Sequence, residues 1–233
     1  MDARSWLSKV GLPVAVDVAA VRESQQVLWG VLDEAKKASL PATPSALNAL
    51  YQYRVPKLSA DGSCSLHDEL DPKPYELGAV LGGRTIQNSF ALITVDALVE
   101  SVNARLKADW LGVYQLRTLP SGPALVKLAY RGVESRAEFP VTPEFAKSSN
   151  NATVALSGKA LVLDDVRAHL AAGGAYYECD PKVQSEACVP LLDPNGKVVG
   201  IVDAESSTPR FFDAARLALV ASLAIEAVSH LPR

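Results

Sequence analysis

Cysteine, methionine and excess charge of either sign are scarce in this sequence, and each scarcity closes off a class of function. Three cysteines cannot all pair within one chain, and 233 residues can bury a core without staples, so no disulfide scaffold is expected. Cys179 and Cys188 have no C-x-x-C or H-x-x-x-H companion, and the histidines at 67, 169 and 230 are scattered. No metal site is therefore expected. A net charge of −3 with no Lys/Arg run gives no footprint for nucleic acid. No apolar run approaches the ~18 residues a membrane span needs. The first residues, MDARSWLSKVGLPVAVDVAA, have charges on both sides of a short apolar stretch and offer no usable signal-peptide core. No P-loop or G-x-G-x-x-G is present, and LGGR at 81 to 84 is only a turn signal. The expectation is a cytoplasmic protein with reduced thiols, no bound cofactor, and neither nucleic acid nor membrane as partner.

What is present is an ordinary globular balance, 48% hydrophobic and 21% charged. Asp17 is placed to cap a helix over 17 to about 38, with Val18, Val21, Leu28, Val31 and Leu32 at helical spacing. A second short helix is expected over 45 to about 54. A long loop rich in Pro, Gly, Ser and Asp follows to about 83 and contains Cys64. From 88 onward Leu92, Val95, Val99, Val102 and Leu106 step by three and four, the stripe of an amphipathic helix. Three strand-like runs come next, WLGVYQLR, ALVKLAYR and RAEFPV, then a short helix ending near Gly158, then the strand ALVLDDV. Residues 167 to 184 read as a polar loop. SEACVPLLD and KVVGIVDAE flank the turn PNG as a hairpin. Asp213 caps a last helix whose stripe is Leu217, Val220, Ala224, Val228 and Leu231. This order predicts an α+β fold, an antiparallel sheet with helices mostly on one face.

Chemistry concentrates in the last third. Asp203 and Glu205 are two apart on a strand and project from one face. Adjacent ionised carboxylates there need a cation, a donor or a proton to relieve them, unless the strand simply ends in solvent. Glu186 opens the partner strand, so three carboxyls can meet at one mouth. Cys179 lies on the loop leading into that strand, between Glu178 and Asp180, which raise rather than lower a thiol pKa when ionised. Such a pocket suits a reaction in which an acid protonates the substrate while the thiol attacks. Reduction of a sulfoxide has that form: the oxygen takes a proton and the cysteine ends as a sulfenic acid. The plainer reading is a solvated loop thiol. His169 shares the loop with Cys179.

ADWLGVYQL, LVLDDVRAH, YYECDPKVQSEACVPLLDPNGKVVGIVDAESS and RFFDAARLALV together resemble a GAF domain, and within that superfamily the free methionine-(R)-sulfoxide reductases. The likeness covers about residues 88 to 231. It implies a GAF-like antiparallel sheet with flanking helices over 86–233, preceded by an N-terminal helical and loop extension over 1–85. It implies that Cys179 attacks, that Glu186, Asp203 and Glu205 bind the substrate ammonium and protonate the sulfoxide oxygen, and that Trp110 and Tyr114 wall the substrate methyl. Asp109 is expected to cap or orient the Trp110 strand. The family's two further cysteines fall here near Arg136 and near Asn150 or Asn151, and its second strand aspartate is Glu205. The usual resolving disulfide therefore cannot form, and sulfenic Cys179 is left to an external thiol, to Cys188 or to Cys64.

Two functions follow from different classes. One is a reductase of free methionine-(R)-sulfoxide, supplied with electrons by a thioredoxin-type partner or a small thiol. The other is a non-catalytic GAF sensor that holds an amino compound in the same acidic pocket. The helix over 17 to 38 is placed to pack on its own domain or on a second subunit, and the resemblance implies pairing as a homodimer.

Overall fold

Short polar residues with an oxygen to spare set the helix starts. The computed structural model describes residues 1–37, 43–59 and 69–233; Cys64 and His67 lie outside them. Helix α1 (Ala3–Val10) is capped by Asp2, whose carboxylate accepts from the Ser5 N–H. Asp17 does the same for Ala19 at the head of α2 (Val18–Lys37). Thr43 caps α3 (Pro44–Ala49), which stops well before residue 54. The chain turns there because Tyr51 is drawn into the core, its hydroxyl 2.8 Å from Ser89 Oγ. The following pair β1 (Gln52–Tyr53) and β2 (Tyr75–Glu76) forms a separate two-stranded sheet. One turn, α4 (Leu77–Val80), leads to α5 (Ile86–Leu106), capped by Thr85. Its stripe Leu92, Val95, Val99, Val102 and Leu106 is buried along its whole length.

The main sheet has six strands: β3 (Trp110–Leu119), β4 (Gly122–Arg131), β5 (Glu138–Pro140), β6 (Leu161–Leu163), β7 (Ser185–Leu192) and β8 (Val198–Ser206). They lie in the order β5-β4-β3-β8-β7-β6, every pair antiparallel. Between them fall α6 (Asn150–Ser157) and α7 (Val166–Ala171); the latter, capped by Asp165, cuts the expected strand ALVLDDV short and runs into the stretch expected to be loop. Helix α8 (Ala214–Ala227) closes the chain, capped by Asp213.

Strand alternation gives the sheet two unlike faces. Leu111, Val113, Ala187, Val189, Val202 and Ala204 turn to one side and join α1, α2, α5 and α8 in one apolar core. Burial of that area is the main favourable term in folding. Trp6 of α1 is part of it, 1% exposed, with its indole N–H donating to the Pro190 carbonyl at 3.1 Å. The N-terminal extension thus shares its core with the sheet. The other face carries a second cluster containing Trp110, Tyr114, Phe139, Cys188 and Ile201, roofed by α6. The α+β expectation holds, with most helices on one face. Among the described residues no helix is long and apolar enough to cross a membrane.

Candidate active site

Register on the second face decides which acids meet. Glu186 on β7 stands opposite Glu205 on β8, and Cys188 opposite Asp203. On the other side of β8, Trp110 pairs with Glu205 and Gly112 with Asp203. Glu186, Asp203 and Glu205 therefore share one face of two adjoining strands, β7 and β8. Gly112 has to be glycine, because a Cβ there would lie 2.2 Å from the Trp110 ring folded across it. Asp109, just before β3, accepts from the backbone N–H and hydroxyl of Ser207 at 2.6 and 2.9 Å and from Ser206 Oγ at 3.2 Å. It clasps the start of β3 to the end of β8, the orienting role its position suggested.

Helix α6 supplies the relief that buried acids need. Ser149 caps it by accepting from the Ala152 N–H, and Gly158 ends it in the left-handed conformation. Its first two residues reach down to the strands. Asn150 Nδ2 donates to Glu186 Oε2 at 3.0 Å, and Asn151 Nδ2 donates to Asp203 Oδ2 at 3.1 Å. Glu186 and Asp203 are each only 3% exposed. Burial pushes Glu186 up to about 7, offset in part by hydrogen bonds from Tyr176 and Asn150 and by His169 nearby. Burial, and then the neighbouring Glu186, push Asp203 well above the ordinary carboxylate range, against the Asn151 amide. Burial likewise drives up Tyr176 and Cys188, with the surrounding carboxyls adding to it. These acids hold protons where surface carboxylates would have lost them.

Cys179 lies on the loop after α7 and lines a narrow pocket with Asn150, Asn151, Tyr176, Tyr177, Glu186 and Glu205. That loop is tied to the α6 entrance by the Tyr177 N–H, which donates to the Ser148 carbonyl at 2.7 Å. Arg136 buttresses it from below. Its guanidinium donates to Tyr177 Oη at 2.8 Å and to the Glu138 carbonyl, and stacks on Phe139, Phe145 and Tyr177. Glu205 also lines a roomier cavity of about 230 Å³ with Trp110, Val133, Asp180 and Lys182. Tyr114 lies deeper, fully buried, its ring 5.4 Å from Phe139. Cys188 is wholly buried. His169 Nε2 meets the Ala175 carbonyl at 3.2 Å. Among the described residues, no group of three His, Cys, Asp or Glu is arranged to hold a metal ion.

Register thus sets the three acids named from sequence on one face, and the loop brings Cys179 to the pocket that Glu186 and Glu205 line; Asp203 lies beneath, bonded to Asn151. Sequence reasoning passed over Tyr176 and the amides of Asn150 and Asn151 as partners of those acids. The doubled tyrosine before Cys179 and the doubled asparagine after a capping serine were the available signals.

The GAF domain family matches residues 92–231. No curated protein sequence matches. Among solved structures the chain is similar to a type II free methionine-R-sulfoxide reductase from Thermoplasma acidophilum, at 22% identity and a TM-score of 0.53, over 62% of this chain and 94% of that one. It is also similar to the free methionine-R-sulfoxide reductase from Neisseria meningitidis, solved in complex with its substrate, at 20% identity and a TM-score of 0.49, over 60% and 78%. A further likeness is to the GAF domain of an Acinetobacter phosphoenolpyruvate-protein phosphotransferase, at 17% identity and a TM-score of 0.46, over 60% and 81%. At 22% identity the likeness to the Thermoplasma structure shows the fold alone.

Proposed function

This chain belongs to the GAF domain family, and from that premise we propose that it reduces free methionine-(R)-sulfoxide to methionine, with Cys179 as the attacking thiol. The observation that carries the reading is the pocket itself, where Cys179 shares walls with Glu186, a buried acid holding its proton to about pH 7. The Cys179 sulfur attacks the sulfoxide sulfur while the oxygen takes a proton from Glu186. Oxygen passes to Cys179 as sulfenic acid, the thiol proton returns to Glu186, and the substrate sulfur leaves as a thioether two electrons richer. Two thiols of a thioredoxin-type or small-molecule reductant then restore Cys179, releasing water and forming their own disulfide. Glu205 and Asp203 hold the substrate's charged end, and the cavity beside Trp110 gives its remainder room.

A second reading, a GAF sensor that binds an amino compound without turning it over, is favoured by one observation. Cys188 is buried and its thiol is pushed well up, a poor state for a resolving nucleophile. Turnover separates the two. Wild type and Cys179→Ser are assayed with free and with peptide-bound methionine-(R)-sulfoxide, using thioredoxin or dithiothreitol as reductant. The enzyme reading expects turnover of the free amino acid, little of the peptide, and none in Cys179→Ser. A folded wild type that binds methionine but turns over neither substrate belongs to the sensor reading.

A further inference from the structure

A lysine is almost never fully buried unless its charge is met, and Lys127 on β4 is wholly buried. The fold meets that charge in two ways. The ammonium lies 4.0 Å from the centre of the Tyr130 ring and 4.9 Å from that of Tyr53, both within cation–π range. It also donates to the Ser135 carbonyl at 2.7 Å and to the Ser135 hydroxyl at 2.9 Å. Tyr53 comes from β1 of the N-terminal extension, and its hydroxyl donates to the Lys127 carbonyl at 2.8 Å. The extension thus helps to shut the ammonium away from water.

The reaction proposed above makes no use of this lysine, yet its partners converge on the aromatic wall of the pocket. Lys127 stands opposite Tyr114 where β4 pairs with β3. Ser135 belongs to the connection between β4 and β5, residues 132 to 137, and both wall residues bond to that connection. The Trp110 indole N–H donates to the Val133 carbonyl at 3.1 Å, and the Tyr114 hydroxyl donates to the Arg136 carbonyl at 3.4 Å. Tyr130 supplies a second route, for its ring stacks on Trp110 with centroids 6.1 Å apart and planes 19° from parallel. One ammonium therefore braces both supports of the Trp110 ring, the carbonyl at its edge and the ring on its face. The Lys127 backbone N–H meets the Ala137 carbonyl at 2.9 Å; side-chain substitution keeps that bond and so tests the ammonium alone.

We propose that Lys127 is a positioning residue for the methyl-binding wall: its ammonium, caged by Tyr53 and Tyr130 and bonded to Ser135, sets where the Trp110 and Tyr114 side chains stand. This deepens the reading of the pocket as a methionine-sulfoxide site and rests on it. The physical need is fit. One methylene more or less in an apolar pocket is worth only about 10- to 200-fold in discrimination, and a wall free to shift gives that up. Charge-assisted bonds are directional and roughly twice as strong as neutral ones, so they hold the wall in one place.

Deuterium exchange of the tryptophan indole N–H groups, followed by NMR, tests this without any ligand. Trp6 is the internal control, because its N–H donates to the Pro190 carbonyl in the other core. Lys127→Met keeps an unbranched apolar stem and removes the ammonium. It is expected to speed exchange at Trp110 about tenfold, the loss of one hydrogen bond to a charged group, and to leave Trp6 within about twofold. Calorimetry in the Cys179→Ser background then compares L-methionine with L-ethionine, which is one methylene longer. The parent protein is expected to prefer methionine by about tenfold or more. Lys127→Met is expected to cut that preference by about threefold or more, whereas general destabilisation weakens both ligands alike. Unchanged exchange at Trp110, equal acceleration at Trp110 and Trp6, an unaltered preference, or a parent protein that binds neither ligand would overturn the inference. Should Lys127→Met fail to fold, Ser135→Ala removes one of the two bonds and is expected to speed Trp110 about threefold relative to Trp6; no difference between the two indoles would overturn the inference equally. Turnover of the wild type is assayed separately, so methionine preference without turnover would sink the reductase reading and leave the role of Lys127 standing.

Discussion

Glu186 owes its high pKa to where β7 begins, one strand in from the edge and under α6. Its proton has a consequence for stability. Ionisation of the unfolded residue near 4.5 and of the folded one near 7 means that the folded state holds the extra proton between those values. Stability is therefore greatest at the acid end of that window and falls as pH rises from about 4.5 to about 7. Asp203, raised for the same reason, acts with the same sign. Denaturant melts at pH 5 and pH 7.5 are expected to show lower stability at the higher pH, and Glu186→Gln to shrink the difference. An undiminished difference in Glu186→Gln would place the titration elsewhere. At this scale the sequence disclosed the acids, because carboxyls two apart on an apolar strand are conspicuous. It did not disclose Tyr176 or the asparagine amides, whose partners are more than thirty residues distant in the case of Asn150 and Asn151.

Helix α6 is the element on which the site depends, for it holds both amides over the strands from its first turn. Asparagine is a poor interior helix residue but is well tolerated near the N-terminus. Ser149 fixes where that turn begins. Ser149→Ala is expected to cost about 1 kcal/mol in urea unfolding, and to weaken methionine binding by letting Asn150 and Asn151 drift from Glu186 and Asp203. A change in neither quantity would show that α6 is held by packing alone. Most elements were legible from periodicity and caps: the stripes of α5 and α8, the hairpin of β7 and β8, and Gly158 closing α6. Three helices were not. Helix α4 is a single turn of four residues inside the stretch expected to be loop. Helix α7 has six residues, too few for a periodic signal. Helix α1 has eight and alternates charge with apolar residues; burial of Trp6 against β7 stabilises it, a tertiary effect that local sequence does not reveal. Helix α3 was overextended because the burial of Tyr51, which ends it, is equally non-local.

Across the whole molecule one sheet separates two tasks. Its α5 and α8 face, joined by α1 and α2, is apolar and supplies stability, whereas its α6 face carries buried acids and a thiol loop. Concentrating such costs on one face is affordable only when the other is well packed. The same division explains why fold was easier to read than chemistry: the packed face is written in repeating apolar spacing, the other in contacts between distant segments. The central claim is that Cys179 removes oxygen from a sulfoxide, and a single-turnover mass measurement tests it most directly. Reduced protein is incubated with free methionine-(R)-sulfoxide and no reductant, the sulfenic acid is trapped with dimedone, and the adduct is located by peptide mass spectrometry. The account predicts one adduct, at Cys179, with about one methionine released per chain, as one thiol reducing one sulfoxide requires. Folded protein that releases no methionine and carries no adduct at Cys179 would contradict it.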